Sequence, residues 1–391
     1  MTHGSDDKGG ARPLDGIRVL ELGQLMAGPL AGTYLAYFGA SVIKVEDPGA
    51  GDPVRGWRVL DDDGTSLWWR SLGRNKRLVT LDLRTEEGRA QVRRLAADCD
   101  VIIENFRPGR MEAWGLGPDD LRPTNPGLVY VRVSGFGQDG PYAQRRGFAS
   151  VCEAVGGLRY VTGHPGEVPV RSNLSLADTF AAQQAGMGAL LALLRRERDP
   201  ERRGQVVDVS IVESVLDMME AAVSEFDRCG VVREPSGTTI TGVVPTDAYP
   251  CADGRHVVIG ANGDSIFKRL METAGRADMA SDARYATNKD RIVHQATIDE
   301  AIAAWTSTLP CAEVVSTLEA VGVPAGPINN ARDLREDPHL LARGRFETVD
   351  VNGAPLALPA LGPKLHDTPG RTDWPGGELG ADNEAVLGGN T

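Results

Sequence analysis

The amino-terminal half of the chain alternates short apolar runs rich in Val, Ile and Leu with stretches of helical composition. This alternation restricts the fold more than any other feature. Its first unit is a predicted strand over residues 17–22, a helix over 28–38 and a second strand over 41–46. A strand–helix–strand unit favours parallel pairing of its two strands. The sequence therefore predicts an α/β domain with a doubly wound, Rossmann-like parallel sheet.

The same alternation continues to about residue 228. The further strands that it predicts cover residues 78–83, 101–104, 128–134 and 205–209, and the further helices cover 86–97, 179–198 and 211–226. Strands that alternate with helices over such a length are typical of one large domain built on a parallel sheet.

The composition changes after Cys229. Residues 230–255 are rich in Gly, Pro and Thr, as in a linker, and residues 256–330 show the pattern of a smaller α+β domain. Its predicted elements are a strand over 256–260 and helices near 265–274, 290–307 and 311–320. The predicted organisation is a disordered leader over 1–12, a large domain over 13–228, a linker and small domain over 229–330, and a segment over 331–391 that returns to the large domain.

Charge and composition exclude several classes of protein. The net charge is −12, whereas general nucleic-acid binding needs a basic surface. The five cysteines form no C-x-x-C pair and the six histidines form no H-E-x-x-H pattern, so neither a disulfide framework nor a metal site is predicted. The start of the chain has no apolar signal region, and no apolar run reaches the ~20 residues that span a bilayer. These features predict a cytoplasmic protein.

Asp178 comes at the start of the longest predicted helix, after Ser175-Leu-Ala. Local chemistry favours a helix N-cap, because Asp is among the best residues for that position. Ser175 and Asp178 also have the spacing of a loose capping box. A carboxylate nucleophile fits the same place, because the helix dipole favours its ionised form. The two interpretations are compatible.

Residues 105–110, Asn-Phe-Arg-Pro-Gly-Arg, follow a predicted strand and contain two turn-forming residues. They suit an ordinary surface turn. They also suit a ligand loop in which Phe106 stacks on a purine while Arg107 and Arg110 pair with phosphates. The Arg145-Arg146 pair allows the same two interpretations, and a solvated charge pair is the commoner outcome for such a dipeptide.

Two further patterns favour ordinary structure over function. The glycines of residues 23–32 are separated by four and then three residues, so the first strand–helix turn lacks the G-x-G-x-x-G fingerprint of a nicotinamide dehydrogenase. Glu213, Asp217 and Glu220 have the spacing of one helix face. Because no His lies near them in sequence, a solvated face is predicted there and not a metal site.

Eight stretches, taken in order, resemble the family III CoA-transferases. They are residues 17–29 (IRVLELGQLMAGP), 39–46 (GASVIKVE), 75–83 (NKRLVTLDL), 101–109 (VIIENFRPG), 134–141 (SGFGQDGP), 155–163 (VGGLRYVTG), 176–178 (LAD) and 323–330 (VPAGPINN). The resemblance runs from about Leu14 to about Asp367. It implies a Rossmann-like large domain made from both ends of the chain, a smaller middle domain, and a homodimer of two chains interlocked as linked rings.

The same resemblance implies the site residues. Asp178 matches the catalytic aspartate of the family. The residues that match its CoA site are Met26 and Ala27 beside the thioester, Leu81, Asp82, Leu83 and Arg84 at a strand end, Asn105, Phe106 and Arg107 in the adenine loop, and Arg146 near the phosphates. Asp47 and Ala113 stand where some members have Arg, and Arg55 or Arg110 are the expected substitutes.

The implied chemistry is the transfer of CoA between carboxylic acids through an aspartyl anhydride and an aspartyl-CoA thioester on Asp178. Acyl-CoA is then a substrate, and no cofactor is bound permanently. The family also contains 2-methylacyl-CoA racemases, which need two proton-transfer groups. Phe148 stands where racemases have a His, and Phe cannot move a proton, so a transferase is preferred. A non-catalytic acyl-CoA-binding protein is the alternative of another class.

The chain most resembles members that use succinyl-CoA as donor and act on short dicarboxylates such as glutarate, itaconate or mesaconate. Met26 replaces a side-chain amide of the formyl-CoA branch, which makes oxalate and formate less suitable partners. The acceptor is therefore expected to be a short dicarboxylate. Its second carboxylate has four candidate partners, namely Arg55, Arg58, Arg145 and Arg171.

Overall fold

The computed structural model describes residues 10–388 and contains a six-stranded parallel sheet. Its strands are β1 (Arg18–Glu21), β2 (Ser41–Glu46), β3 (Lys76–Thr80), β4 (Val101–Glu104), β5 (Val129–Ser134) and β6 (Val206–Ser210). Their order across the sheet is β3-β2-β1-β4-β5-β6. In this order two halves of the sheet diverge from the neighbouring strands β1 and β4. The predicted doubly wound α/β fold is confirmed.

Helices cover both faces of this sheet. They are α1 (Ala27–Tyr37), α2 (Leu67–Leu72), α3 (Glu86–Ala96), α4 (Arg110–Ala113), α5 (Pro118–Leu121), α6 (Ala149–Val155), α7 (Leu176–Arg198) and α8 (Ile211–Leu216). Successive strand residues point to opposite faces, so Val19 packs with α1 and α7 while Leu20 packs with α3. Both residues are fully buried, so the apolar part of β1 is covered on the two faces of the sheet.

Alanines on α7 let this helix lie close to its neighbours. Ala181, Ala185 and Ala189 are each 0% exposed and belong to the same core cluster as Ala31 and Leu35 of α1. They are spaced four residues apart, so they share one face of α7. The buried side of the long helix is thus made of small side chains.

The chain forms two compact units. The first contains the chain up to Leu158, Ser172–Glu220 and the chain from His339 onward, and the second contains Arg159–Arg171 and Ala221–Pro338. The predicted disordered leader, residues 1–12, lies outside the described residues except for 10–12. No helix within residues 10–388 is both long and apolar enough to cross a bilayer.

The second unit has its own sheet and apolar core. Its strands are β7 (Thr246–Pro250), β8 (His256–Gly260) and β9 (Ala325–Pro327), and its helices are α9 (Ala222–Cys229), α10 (Asp264–Thr273), α11 (Ala277–Ala280), α12 (Asn288–Val293), α13 (Gln295–Thr306), α14 (Cys311–Ala320) and α15 (Ala331–Glu336). The three strands pair antiparallel in the order β7-β8-β9. The chain continues into α16 (Pro338–Ala342), the hairpin of β10 (Phe346–Val351) and β11 (Ala354–Pro359), and α17 (Asn383–Leu387).

Two predicted helices are wrong in extent, and two strands of the second unit, β7 and β9, were not predicted. The predicted helix over 211–226 is two helices, α8 and α9, because the chain turns through Asp217–Met219 and Glu220 has a φ of +51°. The predicted helix over 290–307 is likewise divided, between α12 and α13 at His294. The predicted linker contains β7, which forms by pairing with β8 and not by local propensity.

Candidate active site

A cleft of about 350 Å³ lies at the carboxyl ends of β1 to β4. Leu22 and Gln24 follow β1, Glu46 and Asp47 end β2, Leu81–Arg84 follow β3, and Phe106 with Arg110 and Trp114 follow β4. In open α/β sheets, ligands bind in the crevice outside the carboxyl ends of the strands, where the two halves of the sheet diverge. The cleft therefore has the position of a ligand site.

Five residues that the sequence predicts for CoA binding line this cleft, namely Leu81, Asp82, Leu83, Arg84 and Phe106. Arg84 is the cation among them. Its guanidinium lies 2.7 Å from an oxygen of Asp82 and 3.2 Å from one of Asp47, and its side chain is 72% exposed. Two carboxylates thus compete with any phosphate for Arg84.

An aromatic wall closes the β4 side of the cleft. The rings of Phe106 and Trp114 meet edge to face with centroids 5.2 Å apart. The Arg110 guanidinium lies 5.4 Å from the centre of the Trp114 ring. The wall thus combines two aromatic rings with one cation, which suits a flat, anionic ligand.

Arg55 and Arg110 are expected to replace the arginines that some family members have at the positions of Asp47 and Ala113. Of these two, only Arg110 lies at this cleft. The Arg55 guanidinium instead donates to both oxygens of Glu46, at 2.7 and 2.8 Å, and lies 4.0 Å from the centre of the Trp69 ring. Arg55 is therefore held by the protein's own groups.

Asn105 and Arg107 connect loops at the edge of the cleft. The Asn105 side chain accepts from the Gln24 N–H at 2.8 Å and donates to the Gln24 carbonyl at 2.7 Å. A Cβ at Gly23 would lie only 2.7 Å from the Asn105 side-chain oxygen, so the loop needs Gly there. Arg107 donates to the Gln144 carbonyl at 3.0 Å. Both residues shape the loops around the cleft.

Glu104 is a supporting residue that the sequence analysis missed. It is 1% exposed, and its carboxylate accepts from the Phe106 N–H at 2.7 Å and from Arg132 at 2.8 Å. Burial raises the pKa of Glu104 to about 7, against the opposing effect of Arg132. Its sequence signal is weak, because an acid at the end of a strand is common.

Asp178 lies in the first turn of α7 and is not its N-cap, so that interpretation is wrong. The N-cap is Ser175, whose side chain makes no capping hydrogen bond. A carboxylate in the first turn still interacts favourably with the helix dipole. Helix α6 packs against α7, and burial together with the nearby charge of Asp178 raises the pKa of the Cys152 thiol of α6 to about 11.

The other predicted site residues lie outside the cleft lining. Met26 is the half-buried N-cap of α1, Ala27 is its buried first residue, and Arg146 is exposed in the loop before α6.

The three carboxylates with helix-face spacing, Glu213, Asp217 and Glu220, do not lie on one continuous helix. Within residues 10–388, no three His, Cys, Asp or Glu side chains are grouped to hold a metal ion.

Comparisons with known proteins match nearly the whole chain. The family model described as CoA-transferase family III matches residues 14–383. The chain is 47% identical to the succinyl-CoA–D-citramalate CoA-transferase of Chloroflexus aurantiacus, over 96% of this chain and 93% of that protein. It is 34% identical to the succinate–glutarate CoA-transferase of Agrobacterium fabrum, over 96% and 95%. A CAIB/BAIF family protein from Brucella suis superposes with a TM-score of 0.85 and 32% identity, over 97% and 99%.

Proposed function

The chain belongs to CoA-transferase family III, and we propose that it moves CoA from succinyl-CoA to a short dicarboxylic acid. The similarity to the D-citramalate and glutarate enzymes carries this proposal, because both relatives are named for dicarboxylic acids and are matched over nearly their full length. Acyl-CoA is then a substrate and no resident cofactor is needed. We expect the enzyme to act in the cytoplasm.

Asp178 is the proposed nucleophile. Its carboxylate oxygen attacks the thioester carbonyl of succinyl-CoA, the C–S bond breaks, and a mixed anhydride and CoA thiolate form. The thiolate then attacks the aspartyl carbonyl, which releases succinate and leaves an aspartyl-CoA thioester. The acceptor carboxylate attacks this thioester, and the same steps in reverse release the new acyl-CoA and free Asp178. The first turn of α7 supports the role, since the helix dipole favours the attacking anion.

The cleft at the strand ends is the proposed site of the CoA nucleotide. The adenine would stack on the wall of Phe106 and Trp114, and Arg110 would pair with a phosphate. Arg84 also pairs with a phosphate of CoA only if that phosphate displaces the carboxylate of Asp82 or Asp47. The remaining assignments follow the family resemblance: Met26 and Ala27 lie beside the thioester, Arg146 lies near the phosphates, and Asn105 and Arg107 keep the adenine loop in place.

Phe148 favours transfer over racemisation. It directly precedes α6, which packs against α7, the helix that carries Asp178, and Phe148 is 69% exposed. A phenyl ring can neither accept nor donate a proton, so the pair of bases that a racemase needs is incomplete.

Arg58, whose guanidinium lies 4.1 Å from the centre of the Trp68 ring, is a better candidate than Arg55 for the second carboxylate of the acceptor, because Arg55 is held by Glu46.

The proposal is tested by incubating the enzyme with succinyl-CoA and matched acids, and reading the acyl-CoA products by mass spectrometry. Glutarate, itaconate, mesaconate and citramalate are paired with monocarboxylates of similar length, such as butyrate for glutarate. We expect transfer to at least one dicarboxylate, and at least about 10-fold higher kcat/KM than for its monocarboxylate partner. Turnover of monocarboxylates alone would show that the dicarboxylate assignment is wrong.

Asp178→Asn is the matched variant in the same assay. It keeps the shape of the side chain and removes the nucleophile, so we expect transfer to fall by more than about 1,000-fold while succinyl-CoA still binds. Hydroxylamine should label Asp178 of the natural enzyme after succinyl-CoA treatment and should label nothing at position 178 of the variant. Turnover of Asp178→Asn at the natural rate would refute the mechanism.

A further inference from the structure

The loop between β1 and α1 is held residue by residue. Three consecutive backbone positions, 23 to 25, are each bound by a side chain from a different part of the first compact unit. The contacts are Lys44 Nζ to the Gly23 carbonyl at 2.8 Å, the Asn105 amide to the Gln24 N–H and carbonyl at 2.8 and 2.7 Å, and both Asp52 carboxylate oxygens to the Leu25 N–H at 3.2 Å. The backbone of this loop is therefore fixed by side chains that lie far from it in the sequence.

Two of these side chains belong to a buried charge cluster of Glu21, Lys44, Asp52 and Lys76, each at most 1% exposed. The Lys44 ammonium lies 3.0 Å from Glu21 and 3.0 Å from Asp52. The Lys76 ammonium lies 2.8 Å from the other Glu21 oxygen and donates to the Pro29 carbonyl at 2.7 Å. Two ammonium groups balance two carboxylates, so the cluster carries no net charge.

Such a cluster is costly to bury and is weak evidence for a stabilising role. Apolar side chains of similar size would fill the same space without desolvating four charges. What the charges provide is directed hydrogen bonds to the loop that apolar groups cannot make. The loop contacts therefore account for the cluster better than stability does.

The loop has a conformation that needs such support. Leu25 has a φ of +65°, in the left-handed region that residues with a Cβ rarely adopt. Its N–H is the one that both oxygens of Asp52 accept. On one side of Leu25, Leu22 and Gln24 line the cleft, and on the other side Met26 begins α1. The constrained residue thus links the cleft to the start of the helix.

We propose that Asp52 and Lys44 are positioning residues for acyl-CoA. They act through the backbone of Gly23 and Leu25 and hold residues 23–26 as a rigid wall along the bound substrate. The inference rests on the proposed function, which puts Met26 and Ala27 beside the thioester. A displacement of about 1 Å at the reacting group can cost about 100-fold in rate, so a rigid wall contributes directly to turnover.

Asp52→Asn is the central test, because it keeps the size and one acceptor oxygen of the side chain and removes the charge that pairs with Lys44. We expect kcat to fall about 10- to 100-fold while KM for succinyl-CoA changes less than about 3-fold. Leu25→Gly should lower kcat in the same way. Gly adopts a positive φ without strain, so the loss arises from a mobile loop and not from a strained backbone.

Arg196→Met is the matched control. Arg196 is also buried and paired, with its guanidinium 2.8 Å from Asp100, but it lies at the amino ends of the strands. The Arg196→Met substitution should lower Tm and leave kcat of the folded enzyme within about 2-fold of the natural value. A natural kcat in Asp52→Asn, or a kcat loss in Arg196→Met as large as that in Asp52→Asn, would overturn the inference.

Amide hydrogen exchange separates this inference from the proposed function. The peptide that contains Leu25 should exchange faster in Asp52→Asn than in the natural protein, whether or not any acid is turned over. If the natural enzyme transfers CoA to none of the acids, the proposed function fails while exchange still reports on the loop. Unchanged exchange in Asp52→Asn would show that Asp52 does not hold the loop.

Discussion

At the scale of single residues, the two buried lysines below the β1–α1 loop have different surroundings. Burial alone would lower the pKa of Lys44, but Glu21 and Asp52 together raise it well above its ordinary value. Lys76 has one carboxylate neighbour, and burial lowers the pKa of Lys76 to about 8 in spite of Glu21. Lys76 is therefore the member of the cluster that loses its proton first as the pH rises.

This difference predicts how stability depends on pH. Between about pH 8 and the ordinary lysine value of 10.5, the unfolded chain holds a proton on Lys76 that the folded chain has released. Stability rises with pH wherever the unfolded state binds more protons. From pH 7.5 to 9.5, Lys76 should therefore add about 2 kcal/mol to the free energy of unfolding of the natural protein relative to Lys76→Met. Urea unfolding of both proteins at the two pH values measures this, and an unchanged difference would contradict the lowered pKa.

At the scale of elements, β3 is an edge strand whose outer side is covered by the C-terminal segment. The N–H of Leu78 donates to the Asp382 carboxylate at 2.7 Å, and the N–H of Thr80 donates to the Asn383 side chain at 2.8 Å. An uncovered edge strand offers unpaired backbone groups to other chains. Side chains just before and at the start of α17 thus complete the strand that leads to Leu81–Arg84 in the cleft.

Asp382→Ala should therefore affect both stability and substrate binding. Loss of the acceptor leaves the Leu78 N–H without its partner, which costs about 1–3 kcal/mol. We also expect KM for succinyl-CoA to rise, because the end of β3 loosens, while kcat at saturation changes little. Asp382→Asn keeps an acceptor oxygen and is the control. If the two variants behave alike, the hydrogen bond to Leu78 is not the cause.

The prediction of elements succeeded where local periodicity and burial agree. The strands β2 and β4 have the predicted bounds, because each is rich in Val and Ile and lies between turn-forming residues. The predicted β3 lies too far along the chain, at 78–83 instead of Lys76–Thr80. Lys76 reads as a surface residue in sequence, and its burial depends on the carboxylate of Glu21 and the carbonyl of Pro29.

At the scale of the whole molecule, α7 keeps an apolar face exposed in the single chain. Met187, Leu190, Leu191 and Leu194 are between 43% and 57% exposed, and their spacing puts them on one side of the helix. Contiguous exposed apolar surface of this kind marks a site of association. We propose that this face is covered in the interlocked homodimer that the family resemblance implies.

The dimer predicts a solution mass of twice the chain mass of 41.7 kDa, measured by light scattering after size exclusion. Interlocked chains should not separate on dilution to nanomolar concentration. Leu191→Glu puts a charge on the apolar face and should lower the yield of dimer, whereas Glu197→Gln, at an exposed position of α7, should leave it unchanged. A monomer of the natural chain would show that the interlocked dimer is wrong.

The sequence by itself determined the strand–helix alternation, the parallel sheet and the family, because these follow from patterns among neighbouring residues. It also identified the loops after β3 and β4 from which the cleft is built. Only the tertiary structure decided that Asp178 lies in the first turn of α7, that α8 ends before Glu220, and how Leu25 is held. The physical reason is that such contacts join residues far apart in the sequence. The buried cluster of residues 21, 44, 52 and 76, for example, forms only when β1, β2 and β3 pair and the loop after β2 folds back onto them.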